Sequence, residues 1–93
     1  MFLYLVVYDI PNNKRRQKVH DFLKGYGQRV QYSTFECLLP RAKFVELQDR
    51  LQGRVNLEED NIRFYPLSRH TLFQVQVWGV GPPVTEFPES VII

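Results

Sequence analysis

Asp9 has the setting in this 93-residue chain most suited to chemistry. It follows a run of aliphatic and aromatic residues, Phe2 to Tyr8, and stands two residues before Pro11, so its carboxylate lies at the rim of whatever that run builds. An Asp in this place can cap a turn, or the helix that begins near Asn13. It can also hold magnesium or manganese, because magnesium prefers oxygen ligands and often takes only one or two protein carboxylates, keeping water and phosphate oxygens for the rest. One carboxylate per chain is few. A twofold dimer that brings two copies of Asp9 together would supply a pair from a single sequence position. A metal held there would polarise a phosphodiester and generate a bound hydroxide for in-line attack.

Basic residues crowd the stretch from Lys14 to Arg29, opposed there only by Asp21, whereas Glu58, Glu59 and Asp60 form a separate acidic group. Lys14, Arg15, Arg16 and Lys18 fall in the first turns of a predicted helix, where the macrodipole disfavours exposed cations by roughly 0.3–1 kcal/mol each. Stability alone would not choose them. Phosphate binding would, since Arg presents a planar fork of donors and the free N–H groups of a helix start add to it; the plainer reading is a solvated charged face. Arg29, Gln31 and Ser33 share one parity along a predicted strand and would line one polar strip, either as an exposed sheet face or as a surface meeting nucleic-acid backbone. Tyr8 and Phe35 read by pattern as core.

Other chemistries find little support. His20 and His70 share no ligand spacing with the lone Cys37, which disfavours zinc, and no Gly-rich phosphate loop or dinucleotide fingerprint is present. The interleaved aromatics of an RNA-recognition domain are also missing. Twelve Lys and Arg against ten Asp and Glu give a formal charge of only +2, so the sum does not announce a nucleic-acid partner and the segregation of charge carries that suggestion. No secretory pattern opens the chain and Cys37 has no internal partner, which predicts a cytoplasmic protein. Phe2 to Val7 is far shorter than the ~20 apolar residues of a membrane span.

The elements that must position these residues follow from periodicity. Met1 to Tyr8 predicts a buried central strand. Asn12 or Asn13 caps a helix whose stripe is Val19, Phe22, Leu23 and Tyr26, ended by Gly25 and Gly27. Gln28 to Ser33 and Thr34 to Leu39 predict two strands, though no Gly or Pro marks a turn between them. Pro40 opens a second helix lined by Phe44, Leu47 and Leu51 and closed by Gly53, and Asn61 to Leu67 is a further strand. This order is the α+β, ferredoxin-like βαββαβ arrangement, an antiparallel sheet with two helices on one face. Leu72 to Trp78 alternates apolar and polar residues and predicts an additional C-terminal strand, at a sheet edge or paired with a second subunit. Residues 1–78 then form the domain, and 79–93, with Pro82, Pro83 and Pro88, an irregular tail whose apolar end is Val91 to Ile93. A domain this small buries only about two-thirds of its unfolded surface, so a homodimer is expected.

Taken in order, Tyr8-Asp9-Ile10, Arg15-Arg16, Gly27 with Arg29, Gln31-Tyr32-Ser33-Thr34-Phe35-Glu36, Asp60 and Arg63-Phe64-Tyr65-Pro66-Leu67 resemble the CRISPR-associated Cas-two family over about two-thirds of the chain. The resemblance implies a ferredoxin-like homodimer with a magnesium or manganese ion between paired Asp9 carboxylates. It also implies a complex with the Cas-one integrase in spacer acquisition, and cutting of single-stranded RNA or double-stranded DNA. By position, Asp9 and Tyr8 would be catalytic, with Asp9 the metal ligand. Lys14, Arg15, Arg16, Lys18 and Arg29 would contact nucleic acid, and Gln31, Ser33 and Phe35 would border the cleft. Some members carry acids in the loop where this chain has Asn12 and Asn13. Three functions compete: a magnesium-dependent endonuclease, a non-catalytic dimeric scaffold bridging integrase units on duplex DNA, and a stand-alone toxin-like ribonuclease of the same fold.

Overall fold

The computed structural model describes residues 1–87. Strand β1 spans Phe2–Asp9, helix α1 Asn13–Leu23, strands β2 and β3 Gln28–Gln31 and Thr34–Leu39, helix α2 Arg41–Gln52, and strand β4 Asn61–Leu67. The sheet order is β2-β3-β1-β4, with every neighbouring pair antiparallel. This is the ferredoxin-like topology that the sequence predicts.

Alternation along β1 divides its residues between two faces. Tyr4, Val6 and Tyr8 join Phe35, Cys37 and Leu39 of β3 in one core against Val19 and Leu23 of α1 and Leu47 and Leu51 of α2. Leu3, Leu5, Val7 and Asp9 point to the other side, opposite Leu38, Glu36 and Thr34 on β3 and Leu67, Tyr65, Arg63 and Asn61 on β4. We call the first the helix face and the second the open face. On the open face Leu3 is buried, Leu5, Val7 and Leu38 are half-buried, and Asp9 and Tyr65 are exposed.

The two helices start as their residues dictate. The Asn12 side chain accepts the Arg15 N–H at 2.8 Å and caps α1. Pro40 sits just before α2, where its missing donor costs nothing. Gly27 does more than end α1: a Cβ there would run into the Glu36 carbonyl and come within 2.8 Å of the Cys37 Cα, so the chain passes close over β3 only because the residue is glycine.

The Ser68 hydroxyl oxygen accepts the Thr71 N–H and starts a short helix α3, Arg69–Leu72, with Leu72 buried. Residues 73–78, expected to form a fifth strand at a sheet edge or with a second subunit, form no ladder within one copy of the chain. Phe73, Val77 and Trp78 stay exposed. Residues 79–87 carry no helix or strand; Gly79 and Gly81 take positive φ values of 91° and 135° that favour glycine. Thr85 then docks on Glu36, its N–H and hydroxyl donating to one carboxylate oxygen at 2.9 and 2.7 Å. Pro88 and Val91 to Ile93 lie outside the described residues.

Candidate nucleic-acid and metal sites at the end of the first strand

The end of β1 presents two neighbouring residues to opposite faces. Asp9 pairs in register with Asn61 and is exposed on the open face. Among the described residues its carboxylate makes no hydrogen bond or ion pair, so it caps neither turn nor helix; Asn12 does that work. No group of three or more His, Cys, Asp or Glu among the described residues could hold a metal within one chain. One Asp9 with open solvent around it fits a hard cation only as half of a site, the other half coming from a second copy. Arg63, exposed and opposite Val7, brings a cation to the same face, with one guanidinium N–H donating to the Tyr65 hydroxyl at 3.0 Å.

Tyr8 faces the helices instead. It is buried at the mouth of a small cavity of about 70 Å³ lined by Tyr8, Arg16, Gln17, His20, Arg29 and Tyr32. Phe35, fully buried, lies beneath, its ring 6.4 Å from that of Tyr8 and 5.5 Å from that of His20. Burial holds the Tyr8 hydroxyl above the ordinary tyrosine pKa, Arg29 and Arg16 pull it down, and Tyr32 adds to the rise. The phenol is therefore a neutral donor at physiological pH, in reach of an anion. Another groove, about 610 Å³ beside Phe2, Tyr4, Phe44 and Phe64, is largely aromatic, with Arg41 its one charged lining residue, and offers no comparable cluster.

The adjacent arginines have different roles. Arg15 donates from Nε and a terminal nitrogen to the two oxygens of Asp60 at 2.6 and 2.8 Å, and lies 3.7 Å from Glu59. The Asp60 side chain is wholly buried and also accepts the Asn56 N–H at 2.8 Å. Its pKa is lowered, chiefly by the Arg15 hydrogen bonds. The Arg15 fork, expected to contact phosphate, pins α1 to the loop before β4 in the free chain. Arg16 donates to the Ile10 carbonyl at 2.8 Å and to the Asn13 side chain, which holds it over the cavity with donors to spare. Asn12 and Asn13 thus both shape the start of α1. Lys14 and Lys18 project into solvent.

Three further expectations change. Arg29 and Gln31 do not share a face, because a register shift between them breaks the alternation. Arg29 stands opposite Phe35 on the helix face, whereas Gln31 stands opposite Thr34 and lines a depression with Val30 and Glu36. Phe35 is core rather than cleft wall. Ser33 lies in the tight turn and its carbonyl accepts the Tyr8 N–H at 3.0 Å. His20, Gln17 and Tyr32 also line the helix-face cavity, though no motif marks them in the sequence. Only the helical spacing of Arg16 and His20, four apart, could have pointed to them.

The family profile described as CRISPR associated protein Cas2 matches residues 1–75. The chain belongs to the Cas2 family. It is 60% identical over 93 residues, all of both chains, to a CRISPR-associated endoribonuclease Cas2 from Synechocystis sp.. A crystal structure of a hypothetical protein from Thermus thermophilus superposes with a TM-score of 0.80 at 44% identity, covering 88% of this chain and 95% of the other. A chain of a partial Cas6-RT-Cas1–Cas2 complex superposes with a TM-score of 0.77 at 30% identity, covering 95% of each. Within this Cas2 chain, one copy alone lines the helix-face cavity, and the Asp9 carboxylate stands by itself on the open face.

Proposed function

We propose that this Cas2 chain works in CRISPR spacer acquisition as a cytoplasmic homodimer that grips nucleic acid and, with a magnesium or manganese ion between two Asp9 carboxylates, hydrolyses phosphodiesters. The observation that carries this reading is the exposed Asp9 carboxylate, unpartnered among the described residues, on a sheet face whose Leu5, Val7 and Leu38 are only half covered. Such a face favours a second copy, since apolar surface left in water costs about 25 cal/mol per Å². When bound, the metal supplies Lewis-acid polarisation of the phosphoryl group and a more acidic water. The chain's own residues position the strand: Arg63 lies on the Asp9 face to meet phosphate, while Lys14, Arg16, Lys18 and Arg29 attract backbone from the helix side. A relative bearing the endoribonuclease name supports RNA as a substrate, and one named an endonuclease is consistent with the wider expectation of single-stranded RNA or double-stranded DNA. Another found in a complex with Cas1 supports the Cas-one integrase as partner.

A second reading keeps the dimer and drops the chemistry: a scaffold that spaces integrase units on duplex DNA. The exposed Lys14 and Lys18 beside Arg16 favour it. Asp9→Ala separates the two. Nuclease activity of the purified variant should fall to background on both RNA and DNA; undiminished cutting would overturn the catalytic reading. Spacer acquisition that survives Asp9→Ala but fails in Arg16→Glu would leave the scaffold as the function.

A further inference from the structure

Tyr32 is two-thirds exposed, 67%, at the tip of the β2–β3 turn. The guanidinium carbons of Arg29 and Arg16 lie 5.4 and 5.9 Å from its ring centre. Both distances fall at the outer edge of the ~6 Å range of a cation–π contact, looser than Arg54, seated 4.4 Å over Phe22 while donating to the Arg50 carbonyl at 2.7 Å. With both arginines beside it, Tyr32 still stays largely in solvent. Arg16 has two of its five donors engaged and Arg29 one, through a long 3.3 Å bond to the Gln31 carbonyl. The cavity they share with Tyr8, Gln17 and His20 measures about 70 Å³. One water needs only about 10–15 Å³ on the same measure, so a group larger than water, such as a phosphate, can enter beside the spare arginine donors.

We propose that Tyr8, Arg16, Gln17, His20, Arg29 and Tyr32 form a nucleotide subsite for an unpaired strand, in which a phosphate enters the cavity and the adjoining base stacks on the outer face of Tyr32. Phosphate neutralisation comes from Arg16 and Arg29, and the Tyr8 hydroxyl at the cavity mouth donates a hydrogen bond. The base contact is sequence-tolerant, because every base has a π-face, and it requires a base free of its partner. A duplex offers phosphates to the arginines but keeps its bases stacked. This inference rests on the nucleic-acid part of the proposed function and is independent of Asp9 and of any metal.

The test is equilibrium binding of a short labelled oligothymidylate, and of a duplex of the same length, to the full-length protein in chelator. Tyr32→Ala should weaken single-strand binding about 5- to 150-fold, the equivalent of ~1–3 kcal/mol for one stacked base, and leave duplex binding unchanged. Tyr32→Trp should restore it. Because Tyr32 is exposed, neither change threatens the fold. Equal losses for both ligands, no loss for either, or failure of Tyr32→Trp to recover binding would overturn the subsite. If the parent binds neither ligand, the nucleic-acid reading falls as well, a result distinct from binding that ignores Tyr32.

Discussion

Tyr8 and Asp9 are adjacent in sequence and belong to the same strand, yet the surroundings of the two differ in kind. On the helix face, Tyr8 is buried among side chains that one copy of the chain supplies in full, from Phe35 below to Arg16 and Arg29 above. On the open face, Asp9 is solvated and its neighbours Val7 and Leu5 are half-covered. A sheet in a small domain can finish only one of its faces with the residues at hand. The finished face here gives stability and a small polar cavity; the unfinished one leaves Asp9 and half-covered apolar residues for the proposed second copy to meet.

Phe35 and Glu36 repeat this division on β3, and they allow the sharpest test of it. Phe35→Ala should cost about 3–5 kcal/mol, the usual range for emptying a fully packed aromatic position. Glu36→Ala removes the acceptor of the two Thr85 hydrogen bonds and should cost only about 1 kcal/mol. Urea midpoints of the two variants measure the difference. Comparable losses would mean that the open face contributes as much to stability as the core does.

Gly27→Ala comes next. Its new Cβ would meet the Glu36 carbonyl and approach the Cys37 Sγ to 2.6 Å and the Cys37 Cα to 2.8 Å, and two of these three contacts are backbone, which cannot swing aside. Overpacking of this kind costs about 1–3 kcal/mol. The variant should unfold at lower urea and shift the β2 edge, and with it Arg29, away from the cavity. An unchanged midpoint would show that β2 is held more loosely than the helix-face packing implies.

Much of this was legible in the chain. The stripes Val19, Phe22, Leu23 and Phe44, Leu47, Leu51, with the apolar run of β1, identify both helices and the central strand because burial imposes period 3.6 or 2 on the residues that face the core. What was hidden is non-local or lacks its usual marker. The turn at Tyr32 and Ser33 is built with no positive φ among the described non-glycine residues, so it needs neither glycine nor proline and leaves no signal. The register shift at Val30 sends Gln31 to the face opposite Arg29, and strict alternation cannot foresee an extra residue. Arg15 and Arg16 look alike in sequence; only the fold brings Asp60, forty-five residues on, to one of them. Leu72 to Trp78 has the period of a strand but forms no ladder within one copy, and Ser68, a helix cap in plain view, starts α3 just before it.

The Arg15–Asp60 pair predicts how the framework responds to acid. Asp60 has its folded pKa lowered, first by the Arg15 hydrogen bond. A carboxylate so depressed adds stability that is present above its unfolded pKa of about 3.9 and is lost as pH falls through the folded value. Arg15→Met should therefore be less stable than the parent at neutral pH, with the gap narrowing once the solution drops below about pH 4. Glu46, lowered chiefly by the Tyr26 hydroxyl, titrates in the same direction, so Tyr26→Phe serves to separate its share. A gap between parent and Arg15→Met that stays constant with pH would show that Arg15 matters for packing and not for charge.

Cys37 offers the mildest probe of the two faces, because it reports without perturbing. Burial, aided by Glu36, pushes its thiol up to about 12. At about pH 8 roughly one molecule in ten thousand would carry the reactive thiolate even if reagent could reach it. Alkylation of native protein should therefore follow global unfolding and accelerate in Phe35→Ala. A second cysteine placed one residue away on the open face, Glu36→Cys in a Cys37→Ala background, should label at nearly the rate of a free thiol in the monomer and be protected as protein concentration rises and a second copy covers it. Protection of the Glu36→Cys site at every concentration would mean that the tail at Thr85 alone closes the open face, and rapid labelling of Cys37 in folded protein would mean that the helix face is not the finished one.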